Sequence, residues 1–295
     1  MKIDIVDWKL IGACNLECRH CWGPPKTEKA LPQESLFVLI ERFVEIGVHW
    51  VVLTGGEPLV VPCIDAVLER LHRRGLSVSL STNTSFFRRH QSAIEAFVSS
   101  LNIPLDGSTP AIHARSREDE TSYHTCFDVL RHYQCHPSVK PEVLRVGSVY
   151  SKATQGDFLA MAECLEPFAE VIDTWKIYEL IDYEFQRRLR HPILHEEGTF
   201  GAEMAQLLNQ TSLASKIVLT PAGSGDRAYF LVNPRGHVVM PTDIHGVTHE
   251  VFVGDLLQTP LADVVSRWEA SVHADRYCLN HRQHYEKAHA RLFPA

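Results

Sequence analysis

Between residues 4 and 180, six short apolar runs alternate with amphipathic stretches. This alternation constrains the fold more than any other feature of the chain. Strands that run the same way need a long crossover, and a helix packed on the sheet supplies it. The runs at 4–11, 50–53, 76–80, 101–105, 143–150 and 174–180 predict strands. Helices are predicted over 32–46, 64–74, 91–97, 122–133 and 158–168. In the first, Leu36, Leu39, Ile40, Phe43 and Val44 recur at helical spacing, and Gly75 stops the second. Six β–α units predict a parallel sheet with helices outside it. Six is fewer than the eight of a closed barrel, so the expectation is α/β, an open, TIM-like partial (β/α)6 barrel.

The rhythm changes after Asp182. Residues 183–212 are charged and read as partly helical. Residues 228–232 and 237–240 flank Asn233-Pro234-Arg235-Gly236 and predict a hairpin. Residues 241–249 read as a polar loop, and helices are expected over 260–271 and 275–292. The expected division is a barrel core, 1–182, and an α+β extension, 183–295, that caps the open side over the substrate. Apolar residues make up 45%, charged residues 22%, and the net charge is −7. Those are globular values, and the acidity argues against nucleic acid or anionic membrane as a partner. No apolar run approaches the roughly 20 residues of a membrane span, and the N-terminus has no signal-peptide core. The expected location is the cytoplasm, with the eight cysteines reduced.

Three of those cysteines, Cys14, Cys18 and Cys21, stand together after the first strand. Three is odd for disulfides and one short of a closed tetrahedral site. No second Cys-x2-Cys pair exists, and His20 is too close to Cys21 to complete one. Three thiolates suit a [4Fe–4S] cluster with one open iron. Cys63, Cys126, Cys135, Cys164 and Cys278 are scattered, as buried structural thiols are.

Cys14-x3-Cys18-x2-Cys21 is followed by the aromatic Trp22. Thr54-Gly55-Gly56-Glu57-Pro58 follows the second strand, Ser81-Thr82-Asn83 the third, and Leu105-Asp106-Gly107 ends the fourth, with Arg115 and Arg117 beyond. Over about residues 4–182 this ordered set resembles the radical S-adenosylmethionine (SAM) superfamily. The resemblance implies a [4Fe–4S] cluster on Cys14, Cys18 and Cys21. It also implies SAM on the open iron, with Gly55, Gly56 and Glu57 facing its methionine end and Asn83, Arg117 and Ser148 as candidates for its ribose and carboxylate. A flavodoxin- or ferredoxin-type donor would supply the electron that cleaves SAM to a 5′-deoxyadenosyl radical, which takes a hydrogen from carbon.

The substrate is less legible. Residues 218–272 hold no cysteine where many relatives place auxiliary clusters, which favours redox-neutral work. The polar set Asp182, Asp243, His249 and Glu250 suits hydroxyl and ammonium groups. It points to a polyhydroxylated small molecule, as in the sugar and aminoglycoside enzymes that include neomycin epimerase. Epimerisation needs a hydrogen donor, and Cys278 is the expected one. Lys26 and Lys176 resemble the triphosphate-binding lysines of viperin-like nucleotide dehydratases, the alternative reading. A peptide-modifying maturase is a third.

Overall fold

In the computed structural model, which describes residues 1–185 and 191–278, the predicted alternation becomes one curved sheet. Its first six strands are β1 (Ile5–Lys9), β2 (Trp50–Thr54), β3 (Ser77–Ser81), β4 (Ser100–Pro104), β5 (Val143–Tyr150) and β6 (Thr174–Glu179). They pair in sequence order and all in parallel. The crossovers are α1 (Gln33–Ile46), α2 (Ile64–Arg73), α3 (Phe87–Phe97), α4 (Pro110–Arg117) with α5 (Thr121–Cys135), and α6 (Phe158–Leu165). This is the expected α/β partial barrel.

Side chains alternate across each strand, and the two faces have different chemistry. Val6, Trp8, Val51, Leu53, Val78, Leu80, Leu101, Ile103, Leu144, Val146, Trp175 and Ile177 are completely buried and belong to one apolar core with the inward stripes of the helices. Trp8 meets Phe43 of α1 edge to face at 5.1 Å. Each such burial is worth roughly 1.5–3 kcal/mol before entropy is counted. The opposite parity holds Asp7, Lys9, Ser79, Asn102, Arg145 and Lys176, which face the barrel interior. Below them Ile5, Trp50 and Val143 form a small apolar plug.

Three features were not read from the sequence. α4 begins at a Thr109 cap whose hydroxyl accepts from Ile112 N, with Pro110 at its first position. A seventh parallel strand, β7 (Ile217–Thr220), lies beyond β6 after helix α7 (Thr199–Gln210). The supposed loop 241–249 is a hairpin of β9 (His237–Ile244) and β10 (Val247–Asp255). Its turn residues, His245 and Gly246, have φ of 55° and 80°, the two-residue geometry that matches strand twist. β8 (Leu231–Val232) pairs with β1 in parallel and with β9 in antiparallel. The sheet therefore reads β10-β9-β8-β1-β2-β3-β4-β5-β6-β7. Residues 221–230 cross from β7 to β8, and a bridge between Tyr183 and Thr248 ties the chain after β6 to β10. α8 (Leu261–Ser271) packs against β10. The helix expected over 275–292 lies outside the described residues beyond Cys278.

Candidate active site

All the glycine, asparagine and cysteine motifs lie at the carboxyl ends of the parallel strands, where a barrel of this kind places its chemistry. The loop after β1 carries Cys14, Cys18 and Cys21, each partly exposed. N–H donors surround the sulfurs. Leu16 N donates to Cys14 Sγ at 3.4 Å and Gly23 N to Cys21 Sγ at 3.3 Å. Asn83 Nδ2 lies 3.7 Å from Cys14 Sγ, and Arg117 Nη1 lies 3.9 Å from Cys18 Sγ. Burial pushes the Cys18 thiol up to about 12, against the pull of Arg117, and the other two sulfurs raise it further. Burial also raises Cys14. Left without metal the Cys14 and Cys18 thiols keep their protons, so binding iron must displace them.

No group of three or more His, Cys, Asp or Glu among the described residues converges as a single metal ion requires. In a cuboidal cluster each thiolate binds a different iron, so the sulfurs stand apart around a larger body. Three neighbouring thiols, partly exposed and ringed by N–H donors, fit that group.

The glycine motif explains how the loop is held. A Cβ on Gly56 would stand 2.2 Å from Ala13 O and 2.4 Å from Gly12 O, and one on Gly55, with φ of 132°, 2.4 Å from Ile11 O. The face without a side chain is thus occupied by the cysteine loop itself, and the approach is sealed by Gly56 N→Ile11 O at 2.6 Å and Glu57 N→Ala13 O at 3.0 Å. Glu57, expected to face SAM, is 1% exposed and turned inward. Its carboxylate accepts from Leu59 N, Thr82 Oγ1 and Asn83 N at 3.0, 2.7 and 2.7 Å. Burial still raises its pKa to about 7. It ties the loop after β2 to the loop after β3, and so sets Asn83, whose amide reaches Asn15 Oδ1 at 2.8 Å.

Arg117 is not a solvated arginine. Its Nε donates to the buried Asp106 Oδ2 at 2.5 Å. Burial alone would raise Asp106, but Arg117, His20 and His113 hold its carboxyl below the usual range. Asp106 Oδ1 accepts from Val149 N at 2.6 Å, so this pair links β4, α4 and β5 under Cys18. Ser148 is fully buried between Leu105 O, to which it donates, and Trp175 Nε1, from which it accepts at 2.9 Å. The expectation of a SAM contact there is corrected: the hydroxyl is spent inside the barrel wall.

Below the cysteine loop the barrel encloses a cavity of about 360 Å³. His20 and Trp22 line it near the cysteines, Asp7, Asn102, Arg145, Lys176 and Tyr178 from the strands, and Glu179, Thr220, Asp226 and Asp243 from β6, β7 and the segments beyond. Burial raises Asp7 to about 7, with Lys176 and Lys9 pulling the other way. Burial, with Arg145 beside it, drives Lys176 well below its ordinary value.

The structure separates the other expected substrate residues. Lys176 and Asp243 line the cavity. Lys26 does not: its ammonium binds Leu16 O, and Glu17 Oε1 at 2.5 Å, and so braces the cysteine loop. The pair of lysines expected to grip a triphosphate is therefore not a pair. Asp182 contributes its carbonyl to Thr248 N at 2.8 Å, and His249 Nδ1 sits 3.1 Å from Glu184. Glu250 is buried against Lys9 at 2.6 Å and the Tyr183 hydroxyl at 2.5 Å. Lys9 also donates to Trp22 O at 2.8 Å, and its ammonium stands 4.1 Å from the Trp22 ring centroid. Cys278 is exposed. Its neighbour Tyr277 accepts from Asp4 N and Ile5 N at the start of β1, whereas the cysteine loop leaves the end of β1. The expected hydrogen donor is at the far end of the barrel.

Sequence reading missed Asp7, Asn102, Arg145 and Thr220. A signal existed. Parallel strands buried on both faces are apolar throughout, whereas each of these strands interrupts its apolar run with a polar side chain at an interior-facing position.

Residues 8–134 match the profile of the "Radical SAM superfamily". Among curated proteins, GTP 3′,8-cyclase of Limosilactobacillus fermentum is 35% identical over 118 residues, 37% of this chain and 36% of that protein. Molybdenum cofactor biosynthesis protein 1 of Mus musculus is 39% identical over 106 residues, 33% of this chain and 17% of that protein. The chain thus spans well under half the length of the curated relatives it matches. Among solved structures, anSMEcpe with bound AdoMet and the Cp18Cys peptide has a TM-score of 0.66 at 12% identity, covering 98% of this chain and 97% of that one. Streptococcus suis SuiB bound to S-adenosylmethionine has a TM-score of 0.66 at 11% identity, covering 93% and 66%. These two share the fold. The segment 8–134, which carries the cysteine loop, the glycine motif, Asn83 and Arg117, is the part of the chain that matches the radical SAM superfamily, a family whose cofactors are a [4Fe–4S] cluster and SAM.

Proposed function

We propose that this protein takes a hydrogen atom from carbon in a polyhydroxylated, amine-bearing small molecule, of the sugar or aminoglycoside class, in a redox-neutral reaction. The observation that carries this reading is the cavity beneath the cysteine loop. Its 360 Å³ is the size of a small-molecule site. Polar side chains, among them Asp7, Asn102, Arg145 and Lys176, stand in an otherwise largely apolar wall, and carboxylates stand on the segments at the β6, β7 and β9 side. Cys14, Cys18 and Cys21 would hold the cluster, and Asn83 and Arg117 stand beside the sulfurs where SAM would lie. When bound, cluster and SAM supply a hydrogen-abstracting radical, with the electron from a flavodoxin- or ferredoxin-type donor. The chain's own task is to hold the target carbon under that group and keep water out. Asp7, Asn102 and Asp243 accept donors from hydroxyl and ammonium groups. Epimerisation as the outcome loses its candidate donor, since Cys278 is not at the cavity.

A second reading is a nucleoside triphosphate substrate, favoured by Arg145 and Lys176 in the cavity wall and by the GTP 3′,8-cyclase relatives. The test is anaerobic incubation with SAM, dithionite and either neamine or GTP, each deuterated at carbon, followed by mass spectrometry of 5′-deoxyadenosine. Deuterium from neamine in the 5′-deoxyadenosine, lost in Cys14→Ala, Cys18→Ala and Cys21→Ala, supports the first reading. Deuterium from GTP and none from neamine replaces it with the second.

A further inference from the structure

Lys9 is the last residue of β1, and its side chain is 1% exposed. Its ammonium brings four segments of the chain together. It donates to Trp22 O at 2.8 Å, to Glu250 Oε1 on β10 at 2.6 Å and to the Tyr183 hydroxyl at 3.3 Å. It also lies over the Trp22 and Tyr183 rings, at 4.1 and 5.1 Å. Tyr183 donates in turn to Glu250 Oε1 at 2.5 Å. Stability alone does not account for a buried ion pair, because a well-packed apolar pair of the same volume is often as stable or more so. An apolar pair cannot hold a carbonyl, however. Trp22 O belongs to the peptide unit that also carries Gly23 N–H, and a planar trans peptide points the two in opposite directions. That N–H donates to Cys21 Sγ at 3.3 Å. The ammonium therefore grips one end of a peptide whose other end sits on a cysteine sulfur. A charge on the carbonyl also strengthens the N–H as a donor, and hydrogen bonds to sulfur help to set the potential of an iron–sulfur cluster.

We infer that Lys9 and Glu250 are positioning residues for Cys21. They fix the Trp22–Gly23 peptide with its N–H on the sulfur, raise the reduction potential of the cluster held there, and make both depend on the seating of β10. This rests on Cys21 as a cluster ligand and adds a control on that ligand from outside the cysteine loop.

The test uses holoenzyme reconstituted anaerobically. Calorimetry gives Tm, and redox titration of the cluster's electron paramagnetic resonance signal gives the midpoint potential. Lys9→Met/Glu250→Leu removes a cation and an anion together, so the net charge beside Cys21 is unchanged while the peptide loses its anchor. Its Tm is expected to stay near the wild type. Its potential is expected to fall by about 59 mV, the one-electron equivalent of a tenfold change and the scale of one lost hydrogen bond. Glu250→Gln reverses the pattern. It keeps an oxygen for Lys9 and Tyr183 and leaves the ammonium on Trp22 O, so its Tm is expected to fall while its potential does not. A double variant with wild-type Tm and an unmoved or raised potential would overturn the inference and show that the pair serves the fold alone. If the double variant does not recover its Tm, Glu250→Gln decides. A potential that follows its Tm down overturns the inference, and one held at or above the wild type supports it. A wild-type protein that takes up no iron and sulfide would overturn the cluster reading, and the inference with it.

Discussion

Gly56→Ala tests whether the glycine motif builds the cluster site by holding its loop. The added Cβ would stand 2.2 Å from Ala13 O, where about 3.0 Å is the closest approach seen, so the backbone must retreat by about 0.8 Å. The obstacles are carbonyls of Gly12 and Ala13, which no rotamer change can move aside. Two backbone hydrogen bonds, Gly56 N→Ile11 O and Glu57 N→Ala13 O, lie in the path of that retreat. Overpacking of this kind costs about 1–3 kcal/mol, or roughly 2–12 °C in Tm for a chain of this size. Cys14 follows Ala13 directly, so the shift also moves a cluster ligand. The expected result is a lower Tm and a cluster that reconstitutes incompletely, measured as iron and sulfide per chain and by electron paramagnetic resonance with and without SAM. Gly201→Ala is the control. A Cβ there meets nothing within 4 Å, and it lies in helix α7, where alanine is favoured by about 1 kcal/mol. A Gly56→Ala protein with full iron content, an unchanged SAM response and an unchanged Tm would refute the argument that the motif's missing side chains exist for this loop contact.

Lys9→Met leaves Glu250 buried without its cation and is expected to cost about 3–5 kcal/mol, whereas the double variant Lys9→Met/Glu250→Leu should recover most of it; a double variant no more stable than the single one, by denaturant titration, counts against this. Asp7 sits near pKa 7 in the folded protein against an ordinary 3.8, so the folded state keeps a proton that the unfolded chain releases. Stability is therefore lost as pH rises from about 4 to about 7 and levels off above that. Glu57, also raised to about 7 by burial, contributes a slope of the same sign, so Asp7→Asn should make the decline shallower without abolishing it, and Tm against pH that declines equally in both proteins would be the contrary result. Cys278→Ser should leave both 5′-deoxyadenosine yield and product stereochemistry unchanged; a variant that accumulates uncorrected starting epimer would restore the thiol as a hydrogen donor.

Residues close in the chain were legible without the fold. Cys14, Cys18 and Cys21 lie in one loop, so their spacing alone states the ligand set, and α1 declares itself through Leu36, Leu39, Ile40 and Phe43. The six-strand alternation gave the barrel for the same reason: each unit is local. The sequence did not show which way a polar side chain points. Glu57 and Ser148 carry the right chemistry at the right strand ends, yet both are consumed within the framework, Glu57 by Leu59, Thr82 and Asn83, and Ser148 by Leu105 and Trp175. Lys26 and Lys176 look alike in the chain, but one braces a loop and the other lines the cavity. Residues 241–249 read as a loop because both faces of that hairpin are polar, which hides the period of two. Above all, the cavity is assembled from Asp7, Asn102, Arg145, Lys176 and Thr220, one from each of five strands. Only strand register brings those positions together, because alternate side chains point to opposite faces and a shift of one residue would turn each of them into the apolar core.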